Sequence, residues 1–578
     1  MTTLTQVKRL SLLSAIAVVL GFAGGFAAWI LLHLIRLLTN IALIHEFSFK
    51  SHSLSHLKPS AWLFVAAIAG ALLVSIIAKW SPEIRGHGIP EAMEAILTRQ
   101  SKIAPRTAIA KPISSAIAIG TGAPFGAEGP IIVTGGAIGS LLGQIIPVTS
   151  SERKILLAAG AAAGMSATFG APLAAVVLAI ELLLFEFSAR AFIPLVVSSA
   201  IAGGMHTVFF GDGPLFHVPV HHYAGLNYLP AFVLLGVACG LFAIVISRGL
   251  FVIEELYRKL PISKFWHPVV GAIGFATVGL IVPRTLGVGY ESIGDVLSSR
   301  LALGAVTALM FGKLISWWLA LASGTSGGTL APILMISASF GTLVGAGLNQ
   351  ILPGTDIALG AFAIVAMAAT FGASTQATFT AIVFVFELTR DYQIILPLML
   401  ASVIADLIYS AVNEDSLMTE KLRRRGLRIG RHYSADPFVG TATSKIMTTS
   451  VITIPAESTI GLARHLFSSG IHSAYPIVED SKVVGIITRG DMLGDQSQDE
   501  ALLDEYLLKK IIVIKETDSA FDAMSLMVDE NIEHIPVVDN ENKLIGIVTR
   551  TDLLKVRRDQ MASERISNQS DLKRKTIK

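Results

Sequence analysis

Cysteine is almost absent. Cys239 stands alone among 578 residues, so no intrachain disulfide and no thiolate metal cluster can form. Charge is scarce too: Asp, Glu, Lys and Arg make up 15% of the chain, against about 25% in soluble domains. The net charge of +3 is too small to argue for a polyanionic partner, which sets nucleic-acid binding aside. What fills the gap is apolar: hydrophobic residues reach 52% and mean hydropathy is +0.65. A disordered chain and a secreted disulfide scaffold are excluded. The shortage of charge is local, because 48 of the charged residues fall in the 168 residues from Ala411 onward. The chain is therefore an apolar body followed by a tail of ordinary soluble composition.

Long apolar segments recur near 10–38, 61–79, 188–209, 228–253, 268–283, 301–322 and 392–412. The first, preceded by Lys8 and Arg9, runs on too long for a cleaved leader and reads as a retained span. Between them lie shorter Gly-rich segments near 107–120, 129–145, 154–164, 171–185, 331–349 and 358–388. Spanning a bilayer takes about 20 apolar residues. Pieces of 10–15 residues fit half-helices and re-entrant turns, which persist in a membrane only where they line a cavity or are buried in protein. Transport needs such pieces; a simple anchor does not. Basic residues before the first run and after the last (Lys421, Arg423, Arg424, Arg425, Arg428 and Arg431) put both ends in the cytoplasm, with the body expected in a plasma (inner) membrane.

The body repeats. At an offset of about 202, Lys111 aligns with Lys313, Ser114 with Ser316, Gly126 with Gly328, Pro130 with Pro332, and Ala167–Gly170 with Ala369–Gly372. After four extra residues, one helical turn, Glu181-Leu182 matches Glu387-Leu388. Gly86-His87-Gly88 lies over Gly287-Val288-Gly289. Paired Gly/Pro-broken segments in two halves point to a midplane binding site. Whether the halves are parallel or inverted is open at this level.

Three Gly-rich stretches open apolar half-helices: Gly86–Pro90, Gly126–Pro130 and Gly328–Pro332. Helix N-termini present free N–H groups and about half a positive charge. Several converging would hold an anion without a buried cation, and weakly enough for it to leave. Glu128 is an intramembrane carboxylate at such a start, which defaults to a functional reading. Ionised, it would occupy the anion site; protonated, it could swing away. The alternative is a carboxylate that merely complements a helix dipole. No catalytic constellation is present and no enzyme activity is expected. His45–Phe49 begins like HExxH but ends on Phe49, and His52, His56, His217, His221 and His222 read as loop histidines, so no metal site is expected.

These stretches resemble the CLC family of chloride channels and proton–chloride antiporters. Gly86–Pro90 is similar to its GSGIP stretch, Gly126–Pro130 to GREGP and Gly328–Pro332 to GIFAP. Segments from Ala171 to Glu181 and from Phe379 to Thr389 resemble its paired late helices. The resemblance implies an all-α polytopic fold with inverted halves and broken, re-entrant helices. It also implies a homodimer with one pathway per subunit, embedded in lipid and carrying chloride or another small anion. It maps the gate and proton carrier onto Glu128, and anion binding onto His87, Gly88, Ile89, Gly129, Thr329, Leu330 and Met418. Departures bear on mechanism. His87 replaces a Ser or Pro, and either donates a ring hydrogen bond or contributes only its backbone. Met418 replaces a Tyr, so a hydroxyl is lost. Leu182 occupies the place of the inner glutamate of proton-coupled members; Glu186, one turn on, is a candidate inner proton site. These losses point to passive, voltage-gated-type anion conduction, with proton-coupled antiport as the alternative and a non-conducting membrane sensor as a further one.

In the tail, Val451–Pro455, Tyr475–Val478 and Val483–Thr488 read as strands and Glu457–Ser469 as a helix. The unit repeats: Gly485–Asp491 is echoed 61 residues later by Gly546–Asp552. This resembles a tandem pair of CBS domains, an α/β unit that often binds adenine nucleotides (ATP, ADP or AMP). Thr488 and Thr549 would meet phosphate, and Asp491 and Asp552 ribose; alternatively each Thr and Asp only caps the following helix. No cofactor is required otherwise. The expected organisation is a transmembrane domain over 1–425 (halves about 10–225 and 226–425) and a linker over 426–443. CBS repeats over 444–500 and 501–556 and a polar tail over 557–578 follow.

Overall fold

The computed structural model describes residues 3–185, 187–218, 226–351, 357–424, 438, 441–470, 472–494, 498–503 and 511–558. The chain divides into two compact units, Met1–His432 and Tyr433–Lys578.

The first unit is helical. Its first half holds α1 (Thr3–Thr39), α2 (Trp62–Trp80), α3 (Ile89–Thr98), α4 (Pro105–Gly120), α5 (Glu128–Ile145), α6 (Ser150–Phe169), α7 (Pro172–Leu178) and α8 (Ala189–Phe210). The second holds α9 (Leu229–Lys259), α10 (His267–Ile281), α11 (Tyr290–Leu297), α12 (Leu303–Ala322), α13 (Leu330–Ile351), α14 (Leu359–Thr375), α15 (Thr378–Thr389), α16 (Ile395–Val412) and α17 (Glu420–Arg423). Among the described residues, seven helices are long and apolar enough to cross a membrane. Packing repeats with the sequence: α5 lies on α6 as α13 lies on α14, and α8 on α6 as α16 on α14.

Element lengths differ from the apolar runs for physical reasons. The segment near 154–164 is part of α6, a 20-residue helix whose polar first turn (Ser150 to Lys154) hides its start. Conversely, the run near 268–283 yields α10, of only 15 residues. The 358–388 run breaks at Gln376, whose left-handed backbone (φ 56°) ends α14 before α15 begins. α6 ends the same way at Gly170, φ 63°. The four residues inserted in the second half extend α14 by one turn beyond Gly372.

The relation of the halves is fixed by two carboxylates. Glu181 accepts from the amide of Thr380 at 2.8 Å, in the first turn of α15. Glu387, near the end of α15, accepts from the amides of Leu173 at 3.0 Å and Ala174 at 2.7 Å, in the first turn of α7. Each helix thus supplies, from its C-terminal side, the anion that satisfies the other's N-terminal N–H groups. That exchange requires the two to run antiparallel. Equivalent helices of opposite direction mark inverted halves.

The second unit carries two three-stranded sheets. β1 (Ile454–Pro455), α18 (Ile460–Ser468), β2 (Ala474–Glu479), β3 (Lys482–Thr488) and α19 (Arg489–Gly494) form one repeat. β4 (Ile514–Lys515), α20 (Ala520–Asp529), β5 (His534–Val538) and β6 (Leu544–Thr549) form the other. In each, a parallel pair is followed by an antiparallel hairpin. The cores cross the linear division at 500. Ile446 and Met447 pack into the second repeat's cluster, and Ala501 and Leu503 into the first's. Correspondingly, the Thr443 amide donates to Asp518 O at 2.7 Å and the Leu503 amide to Ser458 O at 3.2 Å. The leading segment of each repeat is exchanged with its partner repeat.

Candidate functional site

The three Gly-rich loops meet. Gly126 and Gly328 exchange backbone hydrogen bonds at 3.1 and 2.9 Å, and Gly86 pairs with Ser326. The first turns of α3, α5 and α13 are thereby brought against one another. Gly88 and Gly129 have no room for side chains of their own: a Cβ on Gly129 would overlap the His87 carbonyl oxygen, and one on Gly88 would lie 2.7 Å from Gly129 O. Gly88 has φ +97°, and its amide donates to Glu91 Oε2 at 2.8 Å, closing the start of α3. Of the residues assigned to anion binding, His87, Gly88, Ile89, Gly129, Thr329 and Leu330 all lie here, buried. Thr329 Oγ1 and His87 Nδ1 are enclosed without a hydrogen-bond partner among the described residues. Met418 differs. It sits in the core, its amide donating to Ser416 Oγ at 3.2 Å, while its neighbours Leu417 and Lys421 line a cavity. Glu186 lies outside the described residues.

Glu128 is fully buried at this junction. Its Oε1 accepts from Tyr290 Oη and from the Ala331 amide, each at 3.2 Å. Its Oε2 has no partner and is wedged against Gly126 and Gly328, within 2.6 Å of where a Cβ on Gly328 would stand. The carboxylate is therefore packed into the meeting point of the loops, where the Ala331 amide in the first turn of α13 donates to it.

Two cavities approach from opposite faces. One, of about 490 Å³, is lined by the end of α1, the loop after it, and Gly289 and Tyr290. The other, of about 640 Å³, is lined by residues that follow α2, including Gly86 and His87, and by Lys421. α1 crosses one way and α2 returns, so the second cavity opens on the side where α1 begins. Glu128 and the Gly-rich loops stand between them. Basic residues outnumber acidic ones on both walls, three to two in the first and six to four in the second, which suits anion entry.

The sequence reading expected anion sites from helix ends in place of buried cations. The structure adds two buried cations. Lys111 Nζ donates to Ile84 O at 2.8 Å and Gly86 O at 2.7 Å. Lys313 Nζ donates to Thr285 O at 2.9 Å and Gly287 O at 2.8 Å. Both are fully enclosed and clamp equivalent turns, those before α3 and α11. Their alignment in the repeat was the signal for this role. Tyr290 was also missed. Its signal was a hydroxyl-bearing aromatic directly after Gly287-Val288-Gly289, where the first half has Ile89.

In the second unit, Thr488 and Asp491 bond each other: the Thr488 amide and hydroxyl both donate to Asp491 Oδ2 at 2.7 Å. Thr549 and Asp552 repeat this at 3.0 and 2.8 Å. These are helix caps at the starts of α19 and of the helical turns after β6. Near the pseudo-two-fold, Ser473 Oγ meets His534 Nε2 at 2.9 Å, between positions equivalent in the repeat.

A family model described as voltage gated chloride channel matches residues 69–410, and CBS domain models match residues 443–496 and 503–559. The H(+)/Cl(-) exchange transporter ClcA of Vibrio campbellii is 31% identical over 385 residues, 63% of this chain and 82% of that protein. The transporter of the same name from Salmonella agona is 30% identical over 374 residues, 62% of this chain and 78% of that protein. Among solved structures, a slow cyanobacterial Cl−/H+ antiporter matches with TM-score 0.63 and 25% identity, covering 72% of this chain and 97% of that one. A eukaryotic CLC transporter matches with TM-score 0.56 and 22% identity, covering 95% and 98%; at that identity the likeness shows the fold.

Proposed function

Because this chain belongs to the voltage gated chloride channel family and carries a CBS pair, we propose that it moves chloride or another small anion in exchange for protons, with Glu128 as gate and proton carrier. The observation that carries this reading is the buried Glu128 carboxylate, lodged where the three Gly-rich loops meet and held by the Ala331 amide in the first turn of α13 and by the Tyr290 hydroxyl. While it is ionised, it competes with an anion for those donors. Protonated, it loses the charge that holds it there, and the anion takes its place. A group that alternates between these states links anion passage to proton passage. The names of the relatives support exchange over the passive conduction expected from sequence.

Passive conduction remains the second reading on one observation. Leu182, at the position expected for an inner proton acceptor, is apolar and 4% exposed. Anion flux from proteoliposomes with proton uptake recorded in parallel decides between them. Exchange predicts proton movement driven by the chloride gradient at a fixed ratio. Anion efflux without it assigns passive conduction. Glu128→Gln should abolish proton movement while anions still pass, and unchanged coupling would refute the gate.

By the same reading the protein is a homodimer with a pathway in each chain, set in a plasma (inner) membrane with both ends cytoplasmic. The second unit is its control element, taking an adenine nucleotide by phosphate at Thr488 and Thr549 and by ribose at Asp491 and Asp552. Titration calorimetry of the full chain with ATP, ADP and AMP tests this, and no heat with any of them refutes it.

A further inference from the structure

Exchange requires a proton to reach Glu128 from the cavity on the side where α1 begins, and Leu182 cannot pass one. The carboxylates lining that cavity are held in ion pairs. Glu91 is bound by Lys421 at 2.6 Å and by the Gly88 amide, Glu83 by Arg99 and by Thr107, Glu94 lies 3.9 Å from Arg99, and Glu254 lies 3.7 Å from Arg424. His87 is different. It lines the cavity, yet its backbone carbonyl is packed against Gly129, the residue after Glu128. Its Nδ1 is buried with no hydrogen-bond partner among the described residues, as is Glu128 Oε2. An unpaired imidazole nitrogen and an unpaired carboxylate oxygen thus flank one backbone junction. The charged groups around the ring are Glu91, Lys111 and Lys421; Glu91 and Lys421 are paired with each other and Lys111 is committed to two carbonyls.

We infer that His87 is the inner proton relay, carrying protons between the cavity and Glu128. Imidazole is suited to this because one ring nitrogen can take a proton while the other gives one up. A proton from cavity water binds the neutral ring, and the opposite nitrogen passes its proton to the Glu128 carboxylate, directly or through a water. The ring returns to neutral, and Glu128, now uncharged, leaves the anion site and releases the proton on the far side. The reverse sequence carries protons the other way. No other bond is made or broken.

This inference rests on the exchange reading, and the test separates the two. Full-length wild type, His87→Gln and His87→Ser are reconstituted in proteoliposomes, with chloride flux and proton movement recorded together. Gln retains N–H donors for an anion but cannot relay protons. The ratio of proton to chloride movement should fall about a hundredfold in both variants, the lower end for a positioned proton-transfer group. His267→Gln is the control, since His267 lines the same cavity away from the junction; its ratio should be unchanged. Coupling retained in His87→Gln overturns the relay while exchange stands. Chloride and proton fluxes falling together in a folded variant also overturn it, making His87 an anion ligand. A wild type that moves no protons overturns exchange and the relay with it.

Discussion

Gly88→Ala tests the geometry of the junction most directly. Gly88 has φ +97° and ψ −42°, a region that residues with a side chain rarely enter. Holding Ala there costs about 1–3 kcal/mol. The new methyl would also stand 2.7 Å from Gly129 O and 2.8 Å from Val133 Cγ2, where ordinary contact is at least about 3.4 Å. One obstacle is backbone, so the methyl cannot be absorbed by rotating a side chain. Overpacking of this kind costs a further ~1–3 kcal/mol. Together they come to about 2–6 kcal/mol. Gly470→Ala separates the two effects, because Gly470 has φ +74° and nothing within 4 Å of its Cβ position; it carries backbone strain alone. Thermal unfolding of the purified protein should show Gly88→Ala furthest below wild type, and Gly470→Ala lowered only by its strain of about 1–3 kcal/mol. Anion flux should fall in Gly88→Ala even at temperatures where it stays folded, because the start of α3 is pushed off α5. A Gly88→Ala variant with wild-type melting and flux would refute the close approach of the two helix starts.

Glu387→Ala removes the acceptor for the Leu173 and Ala174 amides and should cost about 0.5–2 kcal/mol in unfolding experiments, as for other helix caps. If Glu387→Gln is as damaging as Ala, the carboxylate geometry assigned here is wrong. Asp552→Ala removes the cap on Thr549 and should destabilise the second unit by about 0.5–2 kcal/mol; hydrogen exchange in β6 reads the loss, and unchanged protection refutes the cap. His534 is held below the ordinary imidazole value of 6.5, first by burial and further by Arg550, with Glu533 opposing. Between that lowered value and 6.5 the unfolded chain binds more protons than the folded one. This contribution to stability is therefore present in full above about pH 6.5 and lost as pH falls below it. His534→Gln should flatten the acid limb of the second unit's melting curve, and an unaltered limb would refute the assignment.

Much of this arrangement was legible in the sequence because it is carried by short-range rules. Gly and Pro at helix starts marked the three loops that meet, and a carboxylate among them marked Glu128. The 61-residue echo in the tail gave both sheets, and the 202-residue echo gave the pairing of halves. What escaped depends on contacts between distant segments. Glu181 and Glu387 read only as matched positions in two similar segments until α7 and α15 are seen side by side. Lys111 and Lys313 look like anomalies in apolar runs until the turns they clamp are placed around them. The exchange of leading segments between the tail's repeats leaves no trace in a linear pattern, since either arrangement buries the same residues.

On the exchange reading proposed above, the two lysines also account for a site of partial charges that is strong and still releases its ion. Each ammonium is spent on two carbonyl oxygens of the turn before a helix start, so it does not serve as a direct ligand at the junction. It fixes the direction of the turn, and on the second-half side that turn leads into Tyr290, whose hydroxyl reaches Glu128. Glu128 Oε1 is therefore held by N–H and O–H donors alone. Those bonds can be exchanged one at a time. A direct ammonium–anion pair would have to be broken at once, in a site that water cannot readily enter.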